Sequence, residues 1–334
     1  MAMTAPRPTV SPVEFMARSH RLRPLELAPW IVAGASFYVF DIYLPLGAQI
    51  LINVLFALSL DLILGYAGIV TLGHAAFFGV GAYTVGILAV HGGWAEPLSG
   101  LVAAGALAGL LGIVTGLVIL RTHGLTLLML TLAVVFMLYE AANKATHITG
   151  GADGLQAFAI DPIFGLFRFD LFGRTAYLYT LAILFVAWAF VRLLVHSPFG
   201  RSLTGVRENV TRMHAIGAPV RRRLVTAYAI SATLAGIAGG LLAQTTQFVG
   251  LNTITFERSG EILIMLILGG VGRLYGAFIG PPLFMIAQDT LAKNEPVFWL
   301  FYIGLLLVLV VMFARGGVLG LIDAIWAWLR SRAR

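Results

Sequence analysis

Apolar residues fill most of the chain in long blocks, broken by short connections rich in glycine, arginine or proline. A helix needs about 20 apolar residues to cross a bilayer. The blocks 28–44, 46–64, 69–90, 98–120, 124–143, 175–195, 223–248, 259–272, 275–292 and 297–314 predict an all-α, polytopic membrane helix bundle of eight to ten spans. The two blocks flanking Gly272 are short and read as a broken or re-entrant pair, which membranes tolerate only where protein or water covers the freed backbone. Residues 1–27 are polar and proline-rich, lack the apolar core of a signal peptide, and read as a cytoplasmic N-terminal tail. The apolar, membrane-embedded region as a whole spans 28–317. The tail 318–334 is basic and amphipathic, with Trp326 among its apolar residues, and reads as lying at the interface. Asp41 and Glu140 fall near outer span ends, where they reach water.

Composition sharpens this picture. The residues AVILMFWYC make up 59% of the chain and DEKR only 11%, against about 25% charged in soluble domains. The mean hydropathy of +0.92 agrees, and a soluble enzyme is excluded. Cysteine is absent, which removes disulfides, Cys-ligated zinc and thiol catalysis. The net charge is +7, and its placement matters more than its sum. If all ten blocks cross, Lys144, Arg168, Arg174, Arg258 and Lys293 lie on one side and the other 17 of the 22 basic residues on the opposite side. The positive-inside rule then puts both termini in the cytoplasm, and the high pI carries no implication of nucleic acid.

The longest arginine-rich connection is 196–223. Leu203, Val206, Val210 and Met213 follow the spacing of one apolar helix face. Gly217 stands where a glycine ends a helix, and Pro219 follows. The pattern predicts a single short amphipathic helix. Spacing alone leaves two readings open: a helix on the lipid headgroups anchored by arginines 221–223, or a docking knob for a cytoplasmic partner. Two stripes of small residues, Gly100-Ala104-Ala108-Gly112-Gly116 and Ser231-Ala235-Gly239-Ala243, permit close helix contact, within this chain or between subunits. One internal echo is present: Leu62-Ile63-Leu64-Gly65-x-x-Gly68 returns as Leu266-Ile267-Leu268-Gly269-x-x-Gly272.

Four ordered blocks carry a resemblance. They are Gly65-Tyr66-Ala67-Gly68 with Leu72-Gly73-His74-Ala75-Ala76-Phe77-Phe78; Thr149-Gly150-Gly151-Ala152-Asp153-Gly154-Leu155; Pro198-Phe199-Gly200-Arg201-x-Leu203 with Arg207-Glu208-Asn209; and Ala235-Gly236-x-Ala238-Gly239 with Gly269-Gly270-x-Gly272. Over about residues 45–320 the chain resembles the permease subunits of high-affinity branched-chain amino-acid ABC importers, and specifically the longer of their two permease types. The resemblance implies a bacterial inner-membrane transport subunit, not an enzyme. Its partners would be a second permease subunit, two cytoplasmic ATPase subunits and a periplasmic solute-binding protein, besides membrane lipid. The solute would be a branched-chain amino acid or a related amide, urea or small organic acid. The 196–223 segment becomes the ATPase-coupling loop, with Leu203, Val206, Arg207, Glu208, Asn209, Val210, Arg212, Met213 and Gly217 as its contact residues. The chain departs from the family in carrying Asp61 where Asn is common, Thr71 for Ser and Val210 for Glu.

Ionisable groups inside spans are costly and count as functional candidates. Asp61 and His74 are therefore candidates for the translocation path or gate, with Thr71, Gly150, Gly151 and Asp153 beside them. Alternatives remain: Asp61 bonds Ser59 or a backbone amide, and His74 is a packed, hydrogen-bonded histidine. A second function class, an ion-gradient carrier with Asp61 and His74 as proton relay, stays open. The chain has no phosphate-binding G-x-x-x-x-G-K-[ST] sequence, so ATP and Mg²⁺ belong to partner subunits; neither a resident cofactor nor a metal site is expected.

Overall fold

The computed structural model describes residues 28–39, 43–156, 158–165, 167–170, 172–313 and 316–320. The N-terminal tail, Asp41 and nearly all of the C-terminal tail lie outside these residues. The helices are α1 (Ala28–Val39), α2 (Leu44–Asp61), α3 (His74–His91), α4 (Pro97–Ile119), α5 (Leu125–Lys144) and the one-turn α6 (Thr146–Thr149). They continue as α7 (Arg174–His196), α8 (Pro198–Glu208), α9 (Val210–Ala215), α10 (Val220–Thr246), α11 (Phe256–Gly269), α12 (Gly276–Asn294) and α13 (Trp299–Phe313). Each apolar block of the sequence coincides with one helix. Among the described residues six helical segments are long and apolar enough to cross a membrane: Leu44–Tyr66, α3, α4, α5, α7 and α10. The protein is an all-α, multi-pass membrane protein.

Helix α2 does not stop at Asp61. It widens into a π-turn, Leu62–Tyr66. Among the described residues the one small sheet pairs β1 (Leu155–Gln156) with β2 (Phe248–Val249), antiparallel, Leu155 opposite Val249. It ties the loop after α5 to the connection between α10 and α11.

Helix α10 is the centre of the packing, with α4, α3 and α2 against it. Lipid is as apolar as the core, so contact quality rather than the hydrophobic effect holds such helices together. Small residues make that contact possible. A side chain at Gly81 would strike the Gly236 carbonyl, and one at Gly239 would strike the Phe78 carbonyl. Gly112 abuts Ala232 and Gly116 abuts Tyr228. The two stripes are thus packing surfaces inside this chain. The opposite face of α4 leaves Val102, Leu110, Val114 and Val118 exposed. Buried polar groups cross-link the same bundle. Gln244 accepts from the Tyr179 hydroxyl at 3.0 Å and donates to the Pro97 carbonyl at 2.7 Å. Ser231 donates to the Ser59 carbonyl at 2.5 Å, and Ser259 accepts from the Ala75 amide at 3.0 Å.

The blocks around Gly272 form the hairpin of α11 and α12. Their backbones touch: side chains at Gly269 and Gly280 would run into the carbonyls of Gly276 and Met265. Pro281 and Pro282 sit inside α12.

Because Gly81 faces backbone rather than a movable side chain, Gly81→Val is expected to destabilise by about 1–3 kcal/mol or more. Gly260, on α11, has open space around it, so Gly260→Ala is expected to be neutral or stabilising by up to about 1 kcal/mol. Thermal unfolding of the purified variants in detergent checks the pair; equal melting temperatures would contradict the packing described.

Candidate functional site

The arginine-rich connection leaves α7 without a gap. Ser197 caps α8 by accepting from the Gly200 amide at 3.4 Å. Leu203 and Val206 are 0% and 2% exposed, buried in the chain's own core rather than presented outward. The expected single helix does not form. At Asn209 the backbone turns extended (φ −159°, ψ 102°), and its side-chain oxygen accepts from the Arg212 amide at 2.8 Å to start α9. Asparagine is a strong N-cap because its side chain satisfies an amide that the helix leaves free. The break splits the apolar stripe. Leu203 and Val206 point inward, Val210 is 38% exposed, and Met213 folds back beside Gly205. Gly217 does end α9, with φ +80°, and the Ala218 amide bonds the Met213 carbonyl at 3.0 Å. Glu208, Asn209, Thr211, Arg212 and Ile216 form an exposed outer surface.

Arg207 connects this loop to the bundle. Its guanidinium donates to the carbonyl of Gly65, in the π-turn that ends α2. Its stem lies where a side chain at Gly68 would stand, and its Nη1 lies where one at Gly272 would stand. Gly68 and Gly272 have φ of +74° and +75°, a region that residues with a Cβ rarely occupy. These are the closing glycines of the two copies of the sequence echo. The copies meet in space: a side chain at Gly65 would collide with Asp61 and with the Gly272 backbone.

Asp61 closes this knot. It is fully buried, and its Oδ1 accepts from the Gly272 amide at 2.7 Å. Its Oδ2 has no hydrogen-bond partner. The carboxylate thus bonds a backbone amide, one of the alternatives the sequence left open. His74 is separate from it. The ring is buried, bonds the Ser59 hydroxyl through Nε2 at 2.8 Å and stacks on Phe56 at 5.4 Å between centroids. Ser59 in turn donates to the Phe56 carbonyl at 2.6 Å. Thr71 accepts from the Gly73 amide at 3.0 Å, holding the turn into α3. Gly150 and Gly151 shape the turn after α6, where Thr149 donates to the Ala142 and Ala145 carbonyls at 2.5 and 2.9 Å. Asp153 is exposed there, and its carbonyl accepts from Gln156 at 2.9 Å.

At the opposite end of α2 lies a site that the sequence reading passed over. A cavity of about 560 Å³ opens between α2, α10, α11 and α12, lined among others by Gln49, Asn53, Glu257, Arg258, Glu261 and Gln288. Arg258 donates to Asn53 at 2.7 Å and pairs with Glu261 at 3.0 Å. Its guanidinium also sits 5.3 Å from the Phe78 ring centre. Asn53, 3% exposed, donates to the Gln49 carbonyl at 2.9 Å. The apolar part of the lining is Leu242, Met265 and Met285. The available signal was the pair Gln49 and Asn53, one helical turn apart in a mostly apolar span. Among the described residues no three His, Asp or Glu side chains are placed to hold a metal ion.

Comparison with known proteins adds the following. The chain is 28% identical over 294 residues to the high-affinity branched-chain amino acid transport system permease protein LivM of Escherichia coli K12, covering 80% of this chain and 68% of that one. It is 27% identical over 315 residues to a probable branched-chain amino acid transport permease protein LivM of Methanocaldococcus jannaschii, covering 79% and 89%. It is also 28% identical over 273 residues to the L-arabinose ABC transporter permease protein AraH of Azospirillum brasilense, covering 79% and 75%. No solved structure matches. The family described as branched-chain amino acid transport system, permease component, matches residues 43–327. That stretch holds the π-turn, the Arg207 loop, the Gly272 hairpin and the polar cavity alike, and the chain belongs to this permease family.

Proposed function

We propose that this chain is one transmembrane half of an ATP-driven importer in a bacterial inner membrane, with both termini cytoplasmic. A second permease subunit completes the pathway, two cytoplasmic ATPases carrying ATP and Mg²⁺ drive it, and a periplasmic binding protein delivers the solute. The observation that carries this reading is the Arg207 bond to Gly65. A loop that only rested on headgroups would need no buried anchor. This one plants Leu203 and Val206 in the core, bonds the end of α2, and leaves Glu208, Asn209, Val210 and Arg212 on its outer side for an ATPase. Movement of the loop is thereby passed to the seam between α2 and the α11–α12 hairpin.

At the other end, the cavity around Arg258 is the vestibule we assign to the solute. Its mixed charges and amides suit a small polar molecule with both a carboxylate and an ammonium group, and Leu242, Met265 and Met285 suit an aliphatic side chain. Branched-chain amino acids fit that lining better than a sugar, the solute named for the Azospirillum relative. An ion-gradient carrier is the weaker reading. Asp61 is held by Gly272 and His74 by Ser59, and no hydrogen bond joins the two.

Two measurements in the reconstituted importer test this. Arg207→Ala removes a charged hydrogen bond worth about 1.5–3 kcal/mol, so leucine uptake is expected to fall about tenfold or more while ATP hydrolysis continues. Unchanged uptake per ATP would sink the coupling role. Arg258→Met is expected to lower leucine uptake by a similar factor without loss of assembly; wild-type uptake would remove the cavity from the pathway. Uptake that survives ATP depletion with the proton gradient held intact would favour the carrier reading instead.

A further inference from the structure

Where α4 ends and α10 begins, a second cavity of about 680 Å³ lies at the arginine-rich end. Its charged lining is wholly basic: His214, Arg221 and Arg222, with no acidic side chain. Arg221 and Arg121 both donate to the carbonyl of Leu117, at 3.0 and 3.2 Å. The last carbonyls of a helix have no partner within it, and here arginines from two segments meet at one of them. Each guanidinium carries five N–H donors in a fixed fork, so this bond leaves donors on both for another acceptor. Arg222 makes no side-chain hydrogen bond among the described residues and is exposed. The apolar lining is Leu117, Val220 and Val225. From Leu117 the surface runs on along α4 through Val114 and Val118, both exposed and apolar.

We propose that this cavity is a binding site for an anionic phospholipid of the inner leaflet, its phosphodiester held by Arg221, Arg222 and His214 and its acyl chains lying along Val114 and Val118 of α4. The site faces the cytoplasmic leaflet on the orientation proposed above. Charge alone would also suit a free phosphate. The apolar floor and its continuation along a membrane-spanning helix favour a lipid, because a free anion gains nothing from them. Basic clusters beside a membrane surface attract anionic headgroups, and each arginine near the surface strengthens that attraction several-fold.

The test uses the full chain in nanodiscs of phosphatidylcholine, with or without phosphatidylglycerol, and native mass spectrometry of the lipid that stays bound on release. Preferential retention of phosphatidylglycerol is expected. The double variant Arg221→Gln plus Arg222→Gln is expected to weaken that preference roughly tenfold. Arg222→Gln alone removes no structural hydrogen bond and is expected to weaken it by a few-fold, which keeps the test valid should the double variant fold poorly. Arg168→Gln is the charge-matched control on the opposite side and is expected to retain the wild-type preference. Retention of both lipids alike, or equal weakening by Arg168→Gln, would overturn the site. Inorganic phosphate in molar excess is expected to leave retention unchanged; displacement by it would reassign the cavity to a soluble anion. Displacement by added ATPase subunit would reassign it to a protein contact.

Discussion

Backbones that approach without intervening side chains govern this molecule. In lipid there is no water to drive helices together, so they gain by close contact or not at all. The tightest contacts here are carbonyl against glycine: Gly81 on Gly236, Gly239 on Phe78, Gly280 on Met265. One of these approaches, Gly65 against Gly272, differs from the rest because charged groups seal it. Asp61 bonds the amide on one side, and Arg207 bonds the carbonyl on the other. The others are sealed by packing alone. This one is also held by a residue that belongs to a surface loop.

Much of this was legible in the sequence. The apolar blocks mark the helices because lipid demands length and hydropathy, and both are local properties. The four motif blocks mark the loop, the glycine turn and the hairpin. What the sequence concealed was direction. Leu203, Val206, Val210 and Met213 do form a stripe by spacing, yet spacing does not state whether the chain's own core or a partner covers it. Leu203 and Val206 turned inward, Val210 outward and Met213 back onto Gly205 because Asn209 ends one helix and caps the next, a switch that its side-chain chemistry permits and periodicity ignores. Arg207 is similar. It reads as an outward contact until Gly68 and Gly272 are seen to leave it room.

The internal echo shows the limit in another form. Seven positions in a glycine-rich chain carry little weight alone. Their meaning is spatial: the copies end on glycines of nearly equal φ, and they converge on one point. The Arg258 cavity was missed for the opposite reason. Its residues come from four helices, and no contiguous motif gathers them. Asn53 and Arg258 are far apart in the chain and within hydrogen-bond reach in the fold.

The π-turn at Leu62–Tyr66 has a consequence for how the chain becomes ordered. A widened turn inserts a residue into the α-helical repeat, and the last carbonyls of a helix have no amide within it. Here the Gly65 carbonyl takes its hydrogen from a side chain 142 positions away. Helix α2 is finished by a segment synthesised long after it. Its last turn and the arginine loop are therefore tied together by one hydrogen bond. The end of a central helix in this way depends in part on a surface loop for its order.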